Sequence, residues 1–251
     1  MRYTPLLLLF VSLLNIMSVR SYISINILGT GMFLPYSMGV IGYIKEHFQL
    51  KDYTLTGVSG GAWCSLLFEL ENNLTDHDKI WNMTVGDPNL KIRLHNNLNV
   101  FQENIERNLK ARYKDVPATK IQTMPLSVIA THYDNSNNKL SNEKKTGFKD
   151  VNDLIDFCLC SSYIPYLSGT LMCRQYDNKY YMDGDISRNK LFIETGSKPA
   201  MNTLCVHRNM WGRKFPLNNY IYTDINMSRQ LFQQGWSDTE KNKAILQLLQ
   251  K

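Results

Sequence analysis

Ser59 stands in the run Gly57-Val58-Ser59-Gly60-Gly61, after the alternating positions Tyr53, Leu55 and Val58 and before Trp63, Leu66, Leu67 and Leu70 at helical spacing. A serine on a tight strand-to-helix turn has two assets as a nucleophile. The turn projects its hydroxyl clear of the sheet, and the following helix offers unpaired N–H groups and a positive dipole end to a developing oxyanion. Small neighbours such as Gly57 and Gly61 suit a backbone that is crowded there. The same five residues also suit a plain glycine turn, so the run needs partners before it counts as a site.

A serine hydroxyl needs a base. Of the histidines His47, His77, His95, His132 and His207, only His207 follows both Ser59 and plausible acids, in the chain order of a Ser-Asp-His triad. Asp183, in YYMDGD, is the other candidate: it closes a β-rich run, with Gly184 directly after it. A carboxylate at a strand end can take the serine proton itself, and partial burial strengthens it as a base. An ordinary Asp-Gly turn fits the same residues. Gly29-Thr30-Gly31 follows the first strand and first suggests a dinucleotide fingerprint. However, Leu34 stands where the third glycine would be, and no acidic residue ends the second strand. The turn's backbone N–H groups suit an oxyanion hole better, because adjacent parallel strands bring their C-terminal loops together.

The elements that must position these groups are legible in part. Residues 22–28 (YISINIL) alternate as a strand, and Ser37 reads as the N-cap of a helix reaching Phe48. Residues 53–58 form a second strand and 60–71 a second helix. This βαβα start predicts an α/β fold with a mainly parallel sheet. Residues 75–120 read as polar and helical with a break at Asp87-Pro88, 126–131 as a strand, and 135–145 as a loop or hairpin tip. A short helix over 151–159, strands at 179–182 and near 203–207, and a C-terminal helix over 228–250 broken at Gly235 complete the pattern. No Pro/Gly/Ser-rich linker divides the chain.

The 251 residues are 43% hydrophobic and 20% charged, which is globular composition, and 28 Lys and Arg against 22 Asp and Glu leave a net charge of +6. The positive residues are spread out, with no dense basic stripe or nucleic-acid motif, so nucleic acid is not expected as a partner. Five cysteines (Cys64, Cys158, Cys160, Cys173, Cys205) show no metal-site spacing and leave one or two disulfides open without choosing a pairing. Arg2, the apolar run from Leu6 to Leu14 and the small residues near Ser21 predict a signal peptide or signal anchor over residues 1–21. Sequons at Asn73, Asn82 and Asn226 agree with the secretory pathway, whether the product is retained in the ER, secreted or membrane-anchored.

Taken in order, GTGMFLPYSMGV-IGYIKEH, GVSGG and YMDGDISRN resemble the patatin-like phospholipases. Two further segments, TGFKDVNDLIDFCLCSSYIPYLSG and RQLFQQGWSD, are similar to the animal-type lipase branch. The resemblance covers roughly residues 25 to 240. It implies a three-layer α/β/α patatin-like fold with one acyl hydrolase domain over 22–251, including the C-terminal helix. It further implies Ser59 as nucleophile and Asp183 as base in a dyad, and an oxyanion hole from Gly29, Thr30, Gly31, Met32 and the Gly60 N–H. Asn189 would fix the aspartate loop, and neither metal nor cofactor is needed. The expected activity is hydrolysis of glycerolipid esters at a membrane or lipid droplet through an acyl-enzyme. A lipid acyltransferase and a weak or inactive lipid-binding relative are the alternatives. Met32, Phe33, Leu34, Tyr36, Tyr163, Ile164 and Tyr166 are candidates for an acyl groove. Two departures bear on activity: Leu34 replaces a glycine of the first motif, and Asp185 sets a second carboxylate beside Asp183, where like-charge repulsion raises the Asp183 pKa. Substrate head group and oligomeric state are not legible.

Overall fold

Alternation in the first strand has a direct structural result. In β1 (Ile23–Ile27) the isoleucines are buried while Ser24 and Asn26 on the other face are half-buried. The computed structural model describes residues 23–187 and 202–250; the expected signal segment and Asn189 lie outside them. β1 pairs in parallel with β2 (Tyr53–Val58), which pairs in parallel with β4 (Leu126–Asp134), and β8 (Thr203–Val206) lies parallel to β1 on its other side. β5 (Lys139–Lys145), β6 (Arg174–Tyr176) and β7 (Lys179–Met182) extend the sheet antiparallel. Among the described residues the result is a seven-stranded sheet in the order β6-β7-β4-β2-β1-β8, with β5 also on β4. β3 (Ile92–Arg93) and β9 (Tyr222–Thr223) pair separately.

The fold is mixed α/β, with a mainly parallel central sheet flanked by helices. The helices are α1 (Leu34–His47), α2 (Gly60–Leu70), α3 (His77–Thr84), α4 (Leu98–Arg112), α5 (Ala118–Gln122), α6 (Val151–Ser161) and α7 (Ile225–Lys241). Ile25, Leu55, Val128 and Val206 of the parallel strands share one core with Ile41 of α1, Leu66 of α2, Phe157 of α6 and Phe232 of α7. Among the described residues no helix is long and apolar enough to cross a membrane. All five cysteines carry free thiols.

Three local expectations need correction. α1 begins at Leu34 rather than after Ser37, because a 3-10 turn over Gly31–Phe33 runs directly into it and Pro35 suits a first helical turn. Ser37 is therefore buried inside the helix. The loop expected at 135–145 contains β5, which pairs residue by residue with β4 from Lys139 opposite Asp134 to Lys145 opposite Val128. α7 passes through Gly235 without a break. A Cβ there would fall 2.0 Å from the Tyr36 carbonyl oxygen, and one at Gly39 would fall 2.0 Å from that of Phe232. These glycines let α1 and α7 cross backbone to backbone.

Candidate active site

The register of β4 brings two distant strand ends together. β5 occupies one edge of β4 along Val128–Asp134, so β2 and β7 share the other edge. β2 arrives with Val58 opposite Ile129, and β7 arrives from the opposite direction with Met182 opposite Thr131. Their next residues, Ser59 and Asp183, meet in the gap between. Ser59 Oγ donates to Asp183 Oδ2 at 2.6 Å, and both side chains are buried.

Ser59 has φ 53° and ψ −126°, a strained backbone for a residue with a side chain. Its surroundings enforce that geometry. The Ser59 N–H donates to Ser161 Oγ at 2.8 Å, and Ser161 Oγ donates to the Ile129 carbonyl at 2.6 Å. Gly61 lies on the end of β1, where a Cβ would sit 2.2 Å from the Ile27 carbonyl oxygen. A Cβ at Gly57 would meet Ala62 Cα at 2.6 Å, and one at Gly184 would meet the Ile129 carbonyl oxygen at 2.4 Å. The aspartate is held as firmly. Its N–H donates to the Tyr163 carbonyl at 2.7 Å, its carbonyl accepts from Thr131 Oγ1 at 2.8 Å, and Oδ1 accepts the Asp185 N–H at 2.8 Å. The Gly184 N–H donates to the Ser161 carbonyl at 2.9 Å. The end of α6 thus braces both loops.

The glycine turn adjoins this pair. Gly31 has φ +51°, and its N–H nitrogen is 3.5 Å from where a Gly60 Cβ would be. Gly60 opens α2, so its N–H has no carbonyl to meet within the helix. The Thr30 carbonyl accepts from the Phe33 N–H at 2.9 Å, and Met32 packs into a small cluster with Trp81 and Val85. Thr30 Oγ1 is buried and has no hydrogen-bond partner among the described residues; it is 2.3 Å from where a Gly60 Cβ would be. The glycine turn and the start of α2 thus lie against one another, next to Ser59. The Asp185 carboxylate packs against the same turn: a Cβ at Gly29 would lie 1.5 Å from Asp185 Oδ2. Burial pushes the Asp183 carboxyl up from 3.8 to about 6, with Asp185 adding to the rise and the hydrogen bonds from Ser59 and the Asp185 amide opposing it.

His207 is placed elsewhere. It follows β8, two strands from β2, and its Nδ1 accepts the Asn209 N–H at 3.2 Å, while the Ser59 hydroxyl is committed to Asp183. Of the expected groove residues, Met32 and Leu34 line a narrow apolar cavity of about 60 Å³, with Trp63 and Leu67 of α2 beside them. Phe33 and Tyr36 turn into the core against Phe215, and Tyr166 is 69% exposed. Ser161, Tyr163 and Thr131 are contributors that the sequence did not single out in these roles. Their signal lies in tertiary pairing, which no local spacing carries. Among the described residues no group of three or more His, Cys, Asp or Glu side chains gathers as a metal site would.

No protein-family model and no curated protein matches the sequence. Among solved structures, the chain is similar to VipD from Legionella pneumophila, at 12% identity and a TM-score of 0.40, over 74% of this chain and 49% of that one. It is also similar to a chain of the heterodimeric complex ExoU-SpcU from the type III secretion system of Pseudomonas aeruginosa, at 12% identity and a TM-score of 0.40, over 88% of this chain and 51% of that one. The chain spans about half the length of each. The animal-type branch gains no support from these comparisons.

Proposed function

We propose that this chain is a serine carboxylic-ester hydrolase acting on lipid acyl esters, with Ser59 as nucleophile and Asp183 as base. One observation carries the reading: the 2.6 Å hydrogen bond from Ser59 Oγ to a buried Asp183, with the serine on a strained strand-to-helix turn. Asp183 takes the hydroxyl proton as Oγ bonds to the ester carbonyl carbon. The carbonyl oxygen becomes anionic and is held by backbone donors of Gly29–Met32 and Gly60. Collapse expels the alcohol, which leaves with the proton from Asp183. Water then attacks the acyl-enzyme by the same route and releases the fatty acid.

Two features support lipid as the substrate. Gly31 and Met32 line a cavity whose wall is mostly apolar. Apolar side chains are also exposed on segments that adjoin the site in sequence or contact: Tyr166, Leu171 and Met172 on the loop after α6, Ile186 beyond Asp183, and Leu217 and Ile221 beside Tyr220, whose ring packs on Phe33. Such a rim suits contact with a membrane or lipid droplet, and a net charge of +6 favours an anionic surface. The proposal includes a single acyl hydrolase domain and secretory-pathway entry directed by residues 1–21. The test is release of fatty acid from phospholipid and neutral glycerolipid vesicles, with Ser59→Ala as control. Acyl transfer to an added lipid alcohol in place of release would identify a transferase.

A second reading has its own observation. The Asp185 carboxylate packs against Gly29, in the turn assigned here to the oxyanion. A lipid-binding protein with weak turnover follows if that carboxylate obstructs the turn. Vesicle binding without fatty acid release would establish it.

A further inference from the structure

The apolar cavity is lined by Gly31, by Trp63 and Leu67 of α2, and also by His77 of α3 with Ser228 and Phe232 of α7. Trp63 and Leu67 stand about one turn apart on one face of α2 and both face this cavity. His77 and Phe232 also line a polar recess on the outer surface with Asp78 and Arg229. One layer of side chains therefore separates the inner cavity from solvent.

That layer is tied together. His77 Nε2 and Ser228 Oγ are 2.7 Å apart and buried. His77 Nδ1 lies 2.9 Å from Asp78 Oδ1, and Arg229 pairs with Asp78 through two hydrogen bonds of 3.0 and 2.9 Å. The carboxylate keeps the proton on Nδ1, so Ser228 donates to Nε2. This has the order of an Asp-His-Ser relay, but it lacks oxyanion donors. Ser228 lies within α7, and its N–H is already given to the Asp224 carbonyl at 2.8 Å. The trio is built to close a wall.

We infer that His77 and Ser228 form a partition that ends the acyl site and sets the longest acyl chain the protein accepts. The inference rests on the lipid-ester reading above. A chain whose carbonyl sits at Ser59 enters past Gly31 and runs down α2. Its end meets a hydrogen-bonded polar pair that an alkyl chain cannot replace, since displacing it strands two buried polar groups. Met32 and Met38 in the wall can adjust to chain width, whereas the tied His77-Ser228 pair fixes length.

The experiment compares kcat/KM for butanoyl, octanoyl and palmitoyl esters on the full chain, with folding of each variant checked by its cooperative melt. The native protein should favour octanoyl over palmitoyl esters. His77→Ala opens the wall and should raise the palmitoyl-to-octanoyl ratio by about tenfold or more, as methylene discrimination in apolar pockets allows. Ser228→Leu projects into the cavity and should move the preference the other way, toward butanoyl. Equal use of palmitoyl and octanoyl esters by the native protein, or an unmoved ratio in a folded variant, overturns the partition and leaves the hydrolase intact. Failure of the native protein to cleave any of the three overturns the hydrolase reading and the partition with it.

Discussion

The Ser161 hydroxyl accepts the Ser59 N–H at 2.8 Å and donates its own O–H to the Ile129 carbonyl at 2.6 Å. One side chain at the end of α6 thus couples the strained serine turn to the strand edge where β2 and β7 meet. The Ser161 carbonyl also accepts the Gly184 N–H, so the spacing between Ser59 and Asp183 depends on it. Ser161→Ala should lower stability by about 1–3 kcal/mol, the cost of two stranded buried groups. It should reduce kcat more than it raises KM. Urea unfolding with steady-state kinetics reads both; an unchanged kcat would remove Ser161 from the positioning of the dyad.

Burial of Asp183 has consequences for rate and for stability. As the proposed base it must be ionised, so kcat/KM should fall on an acid limb centred near pH 6. The stability effect has the opposite sense from that of a salt-bridged carboxylate. With its pKa raised from 3.8 to about 6 in the fold, the group contributes stability below pH 4 that is lost as pH rises through about 6. Asp183→Asn should therefore abolish turnover yet stabilise the fold above pH 7, by about 1–2 kcal/mol, with the gain shrinking toward pH 4. Thermal melts across that range decide the point.

Asp185 lies against Gly29 and helps to raise the Asp183 pKa. Asp185→Gly keeps the backbone N–H that binds Asp183 Oδ1 and removes the second carboxylate. The acid limb should move to lower pH. The maximal rate should rise roughly tenfold, equivalent to about 1.4 kcal/mol of oxyanion stabilisation. A pH-rate profile identical to that of the native protein would contradict this.

The apolar rim should govern adsorption rather than chemistry. Tyr166→Ser combined with Leu217→Ser, at positions 69% and 78% exposed, should weaken binding to anionic vesicles by about tenfold or more. Hydrolysis of a soluble short-chain ester serves as the internal comparison, and equal losses on both substrates would count against a lipid-facing rim.

Much of this site could be read before any coordinates. Ser59 stands out because a strand pattern, small residues and a helix pattern coincide there, and all three are local. Asp183 is a strand-end carboxylate whose neighbours also fit a plain turn, and only its order with two other motifs distinguishes it. β5 was hidden because Lys139–Lys145 carries charge on both faces, and its order comes from main-chain pairing with β4 rather than from a buried side. Gly235 looked like a helix break since its use, close approach to Tyr36, is visible only once α1 and α7 are packed. The His77-Ser228 pair joins residues 151 apart and left no local trace.

The most direct measurement is covalent labelling of the folded native chain with a fluorophosphonate probe, beside Ser59→Ala and Asp183→Asn. Strong labelling of the native protein, loss in Ser59→Ala and slow labelling in Asp183→Asn is the predicted result. A folded native chain that does not label, or labels equally after Ser59→Ala, would contradict the nucleophile on which the account depends.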